Sequence, residues 1–142
     1  MNDQLNVEHV SNNADLELVF AIRKKVFVEE QNCPAHLEWE FEEESVHFLG
    51  KVNGISAGAS RWRKTAKGYK LERFAVLKEF RGKGLGQALI AAVLNDLPKD
   101  AEYVYLHAQL VAMPLYQKFG FEKEGEQFEE AGIQHFKMVL KL

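Results

Sequence analysis

The chain has 142 residues, of which 46% are hydrophobic and 27% charged, enough for a packed core and far from the composition of disordered chains. A formal net charge of −3 argues against the strongly basic face on which nucleic-acid binding depends. The single cysteine, Cys33, has no partner for an internal disulfide, which points to a reducing compartment.

The opening "MNDQLNVEHV" has neither a basic start nor an apolar run, and no stretch approaches the ~20 apolar residues of a membrane span. The expectation is a cytoplasmic protein with one domain over residues 1–142, undivided by repeats, low-complexity segments or linkers. Leu5-Asn6-Val7-Glu8-His9-Val10 alternates and predicts a first strand. Asn13 or Asp15 would cap a helix over 14–28, with Leu18, Ile22 and Val26 on one face. From Cys33-Pro34 the chain turns acidic and irregular through Glu44. "VHFLGKV", "ISAGASRWR" and "YKLERFAVL" read as three strands; Asn53-Gly54 is a hairpin turn between the first two, and Lys67-Gly68 a weaker turn before the third. A helix from Gly86 has Leu85, Leu89, Val93 and Leu97 four apart and stops at Pro98. "YVYLHAQ" is the next strand. A short helix follows with Ala112, Leu115, Tyr116 and Phe119 on one face, halted by Gly120. Strands near 121–127 and 134–140 complete an α/β (α+β) pattern, a mixed sheet with helices on both faces.

"EFRGKGLGQALIAAVL" sets Gly82, Gly84 and Gly86 beside Arg81 and Lys83, between a predicted strand and a predicted helix. A helix N-terminus exposes unpaired N–H groups, and glycines let that backbone approach a phosphate closely. The P-loop pattern fails because Gly84 follows Lys83 where Ser or Thr is needed, and the dinucleotide fingerprint fails because Gln87 stands where it needs glycine. The bland alternative is a glycine-rich turn with solvated cations.

Arg81-Gly82-Lys83-Gly84-Leu85-Gly86 resembles the Arg/Gln-x-x-Gly-x-Gly/Ala pyrophosphate loop of the GNAT superfamily of N-acetyltransferases, and a strand ending Phe74-Ala75-Val76 precedes it as in that family. Downstream, "QLVAMPLYQKFGF" resembles the family's second signature, which runs from a strand into a helix and ends Tyr-x-x-x-Gly-Phe. "IRKKVFVEEQNCP", "LEWE", "HFLG", "HAQ" and "GIQHFKM" are similar to the small bacterial ElaA/YjcF-like branch. One departure is Gln109, where many relatives have Asn; a longer amide can make similar hydrogen bonds.

The resemblance implies a GNAT-like, mostly antiparallel sheet of six to seven strands and acetyl-CoA as cosubstrate, with no metal. Arg81, Gly82, Lys83, Gly84, Leu85, Gly86 and Gln87 would receive the pyrophosphate. Phe74, Ala75, Val76, Gln109 and Tyr116 would line the pantetheine arm, with the Val76 N–H polarising the thioester oxygen. Tyr116 is the candidate general acid; its alternative is a core tyrosine. Glu72 is the candidate base, on the reasoning that it shares strand parity with Phe74 and Val76; its alternative is an ion pair with Arg73 or Lys70. Glu30 and His107 are reserve bases. Glu29, Glu30, Gln31 and His107 are the candidate acceptor contacts, and the seven glutamates within residues 29–44 could form a rim attracting cationic amines or merely a solvated loop. The five histidines are scattered without metal-ligand spacing.

The expected reaction is direct acetyl transfer to a primary amine, with a small molecule favoured as acceptor. No nucleic-acid or membrane partner is expected, and the chain would be a monomer or a homodimer. The rival reading is a non-catalytic acyl-CoA-binding regulatory module, which would need the loop but tolerate the loss of Tyr116 and Glu72.

Overall fold

A computed structural model describes residues 3–140, apart from the side chains of 37 and 38. Strand β1 (Leu5–His9) leads into helix α1 (Asn13–Arg23), whose first turn is capped by Asn12 accepting from the Asp15 N–H at 2.8 Å. The cap thus falls one residue before the earlier of the two expected positions. The chain then widens into a π-helical stretch, Lys24–Glu30, with Gln31 N–H reaching the Val26 carbonyl at 3.1 Å. A four-residue helix α2 (Ala35–Glu38) interrupts the acidic segment that sequence patterning leaves irregular.

Strands β2 (Ser45–Val52), β3 (Ile55–Lys64) and β4 (Tyr69–Val76) follow as antiparallel neighbours, joined first by the Asn53-Gly54 turn with φ of 51° and 81°. Helix α3 (Leu85–Asp96), strand β5 (Val104–Gln109), helix α4 (Met113–Gln117) and strands β6 (Phe121–Glu130) and β7 (Ile133–Leu140) complete the chain. The seven strands form one sheet in the order β1-β2-β3-β4-β5-β7-β6, and only β4 and β5 run parallel.

Each face of the sheet has its own core. On one, Val19, Ile22 and Val26 of the first helical segment pack against Leu49, Ala59 and Ala75. On the other, Leu85, Leu89, Ile90 and Val93 of α3 lie against β2, β3 and β4. Gly58 is needed for that approach, because a Cβ there would come within 2.9 Å of both Leu85 Cδ2 and the Ala75 carbonyl. Among the described residues, no helix is long and apolar enough to cross a membrane.

Candidate active site

The cleft begins where β4 and β5 part. Their parallel pairing covers only Tyr69–Leu71 against Val104–Leu106, and beyond it the strands diverge. Just past that point β4 carries a bulge: Arg61 pairs with Glu72 and Ala59 with Ala75, so one β3 residue faces two on β4. Arg73 takes up the extra residue at φ 58°. The bulge overturns the parity expected for Glu72. Leu71 and Phe74 lie in the core on the α3 face, whereas Glu72 turns with Ala75 toward the face covered by α1.

Between the diverging strands opens a cleft of about 410 Å³, within the usual range for a small-molecule site. Phe74, Gln109 and Tyr116 line it from one side, Gln31 from the end of the π-helical stretch, and His107 from β5. The Gln109 side-chain amide Nε2 donates to the Gln31 side-chain oxygen Oε1 at 3.0 Å, tying β5 to the segment after the first helix. Glu29 and Glu30 are exposed and do not line this cleft.

Tyr116 is buried, its ring packed edge-on against Phe74 and Phe121. Burial pushes the phenol well above its ordinary value, so it keeps its proton across the neutral range. His107 Nδ1 lies 2.8 Å from Glu130 Oε2, and its ring meets Phe128 edge-on. With Nδ1–H donated to Glu130, the Nε2 lone pair is left to take a proton. The hydrogen bond from His107 holds the Glu130 carboxyl below the usual carboxylate range despite partial burial.

Arg63, Lys70 and Glu72 on the floor of the cleft continue into a chain of charges behind it, of which sequence patterning foresees only the Glu72–Lys70 pair. Glu42 accepts from Arg23 Nη2 at 2.8 Å and from Arg61 Nη1 at 3.0 Å. Arg61, fully buried, also donates to Glu72 at 3.0 Å. Glu72 further accepts from Arg63 Nε at 2.7 Å and pairs with Lys70 Nζ at 3.2 Å. Arg63 stacks 3.9 Å from the centre of the Phe41 ring. Burial alone would raise the Glu72 carboxyl, but the Arg63 hydrogen bond and the Arg61 and Lys70 charges outweigh it and hold the group at about 2. A carboxylate held so acidic is a poor acceptor for an ammonium proton, which counts against Glu72 as the base. Glu42 is a structural hub rather than part of a solvated run.

The glycine loop lies outside this cleft, at the mouth of α3. Gly82 and Gly84 take φ of 81° and 89°, conformations that an L side chain strains to reach. A Cβ on Gly82 would meet nothing within 4 Å, so the space beside the loop at that position is open. Gly84 provides no capping side chain, so the first N–H groups of α3 receive no side-chain cap from it. Leu85 is buried and offers only its backbone, while Gln87 is exposed. Loop backbone, uncapped helix and two cations suit a pyrophosphate. Arg81 is already engaged: it donates to the Val76 carbonyl at 3.0 Å and forms a two-pronged pair with Glu30 at 2.7 Å on each side. Lys83 Nζ pairs with Asp3 at 3.1 Å. Glu30 therefore belongs to the loop rather than to the cleft.

A seven-stranded, mostly antiparallel sheet that splits beside a helix opening on glycine is the architecture of the GNAT fold. The sequence matches the family described as "Acetyltransferase (GNAT) domain" over residues 7–142, and the chain belongs to that family, whose members use acyl-CoA. It is 39% identical over 132 residues to the uncharacterized N-acetyltransferase YjcF of Bacillus subtilis, covering 90% of this chain and 94% of YjcF. With ElaA of Escherichia coli it shares 31% identity over 134 residues, 89% of this chain and 87% of ElaA. The crystal structure of Escherichia coli ElaA superposes with a TM-score of 0.79 over 98% of this chain and 99% of that one, at 27% identity. An acyl-CoA N-acyltransferase from Pseudomonas aeruginosa shares the fold at a TM-score of 0.82 and 24% identity, covering 99% of this chain and 100% of its own.

Proposed function

We propose that this chain is an acetyl-CoA-dependent N-acetyltransferase that acts by direct attack of a small-molecule primary amine. The observation that carries the reading is the cleft at the strand parting, where a buried, protonated tyrosine and a carboxylate-backed histidine line one space. When bound, acetyl-CoA supplies an activated acetyl thioester. The Gly82–Gly84 loop, the first N–H groups of α3 and the Arg81 and Lys83 side chains suit its pyrophosphate. The backbone of Phe74, Ala75 and Val76 and the Gln109 amide would hold the arm, and the Val76 N–H would polarise the reacting carbonyl. A GNAT family acetyltransferase from Elizabethkingia anophelis that shares this fold has acetyl-CoA bound, which supports the same cosubstrate here.

His107 takes the place expected of Glu72. Its Nε2 would accept the ammonium proton, with Glu130 steadying the resulting imidazolium. The amine nitrogen would bond to the acetyl carbon as the C–S bond breaks; the Tyr116 hydroxyl would give its proton to the departing sulfur and regain the one that the nitrogen sheds in becoming an amide. Glu72 acts by fixing the charges of the floor.

The test is calorimetric titration with acetyl-CoA, followed by thiol release with a panel of primary amines. Wild type should bind, and an Arg81→Ala/Gly84→Ala variant should bind at least tenfold more weakly. His107→Gln and Tyr116→Phe should each retain binding and lose roughly a hundred- to ten-thousandfold in kcat, the span of a proton-transfer group. A folded wild type that ignores acetyl-CoA would sink the reading, and binding without turnover on any amine would favour the regulatory module.

A further inference from the structure

From the charges around the cleft we infer that the acceptor carries a carboxylate beside its amine, as an amino acid does. This rests on the acetyltransferase reading above and narrows its substrate. The expected acidic rim does not face the cleft as a block. Glu42 is turned onto Arg23 and Arg61, and Glu30 onto Arg81. Arg63 and Lys70 face the cleft from β3 and β4 and share one carboxylate, Glu72, which also pairs with the buried Arg61 behind them.

That floor is short of negative charge and nearly dry. The Arg63 and Lys70 side chains are only 12% and 13% exposed, so an unmatched positive charge there is costly and an anion correspondingly welcome. Their donors are not used up. Among the described residues, Arg63 places Nε and Nη2 on Glu72, leaving Nη1, and the Lys70 ammonium pairs with Glu72 through one of its three protons. His47, behind the floor, adds no compensating positive or negative charge, because burial lowers its proton affinity and keeps it neutral. Arg73 and Glu40 also line the cleft, with opposite charges.

The opposite pole lies on β5 and β6. Lys70 sits beside Tyr105 in the sheet, and His107, paired with Glu130, lies two residues further along β5. An ammonium would therefore sit toward His107 and Glu130, and a carboxylate toward Arg63 and Lys70. A polyamine would instead bring a second positive charge to a floor that already has an excess, a juxtaposition disfavoured in a dry site.

Matched acceptors test this: phenylalanine against phenylalaninamide and phenethylamine, and lysine against cadaverine, scored by kcat/KM from thiol release. Wild type should favour the free acids by at least tenfold. Lys70→Gln and Arg63→Gln should each reduce that ratio at least tenfold, chiefly through KM, and Lys70→Arg should restore part of it. Binding of N-acetylphenylalanine against its amide, followed by calorimetry, reads the carboxylate subsite without turnover. Preference for the acid that disappears in Lys70→Gln supports the subsite even if no amine is acetylated, a result that would count against transfer alone. Turnover of the amides or decarboxylated amines equal to that of the acids would overturn the inference and leave the acetyltransferase standing. Equal binding of acid and amide by wild type would overturn it as well.

Discussion

The glycine loop and the charged floor are built on opposite principles. The loop is seven contiguous residues, exposed from Arg81 to Gly84 and anchored by the buried Leu85, with its shape set by two positive backbone angles. The floor is assembled from side chains on α1, the acidic segment, β3 and β4, brought together by the sheet register and largely removed from water. A site made of backbone is sensitive to an added Cβ and tolerant of changes in side-chain chemistry. A site made of mutually paired charges is sensitive to any loss at its hub, because each removal strands a buried partner.

The sharpest contrast should come from Glu72→Gln, which takes from Arg63 and Lys70 the carboxylate they share and from Arg61 one of its two, and should cost about 3–5 kcal/mol of stability, measured by urea unfolding at neutral pH. Because the folded carboxyl titrates near 2 and the unfolded one near 4.5, its stabilisation is fully present above about pH 4.5 and lost as the pH falls toward 2. The variant and wild type should therefore converge in stability over that window. If the gap stays constant with pH, the floor is held by packing rather than charge. Gly84→Ala should cost less, about 1–2 kcal/mol for the strained φ, while weakening acetyl-CoA binding at least tenfold in the same titration. Unchanged binding there would mean the loop does not receive the pyrophosphate. The smallest effect belongs to Glu30→Gln: with Arg81 released, acetyl-CoA should bind about two- to fivefold tighter, the range of an exposed ion pair. Weaker binding would show that Glu30 aims Arg81 rather than competing for it.

What could be read from the sequence follows the same division. The glycine loop, the helix behind it, the Asn53-Gly54 hairpin and Tyr116 before Gly120-Phe121 are local features, set by residues close together in the chain, and the family resemblance extended them to the sheet as a whole. The placement of His107 in the cleft beside Gln109 also follows from simple alternation along β5. Glu130, its partner, arrives 23 residues later on a different strand, which no local pattern announces. Arg61 and Arg63 are two apart in a strand, as are Lys70 and Glu72, so their alternation hints at two charged rows. Only the β3–β4 register joins those rows into one cluster. The Glu72 parity argument failed for a specific reason: period-two reasoning assumes an unbroken strand, and nothing in "KLERFAV" marks the bulge at Arg73.

That bulge lets a single strand change phase partway along its length. Ahead of it, Lys70 and Glu72 present charge to one side of the sheet; after it, Phe74 and Val76 present apolar surface to the other. Were residue 73 kept but held in ordinary extended conformation, the alternation would count it, and Phe74 would take the side that Ala75 now occupies beneath α1. The helix above, packed to fit an alanine, would meet a phenyl ring, and Tyr116 would lose the ring it leans on. One left-handed residue therefore keeps two incompatible chemistries on two sides of the same seven-strand layer.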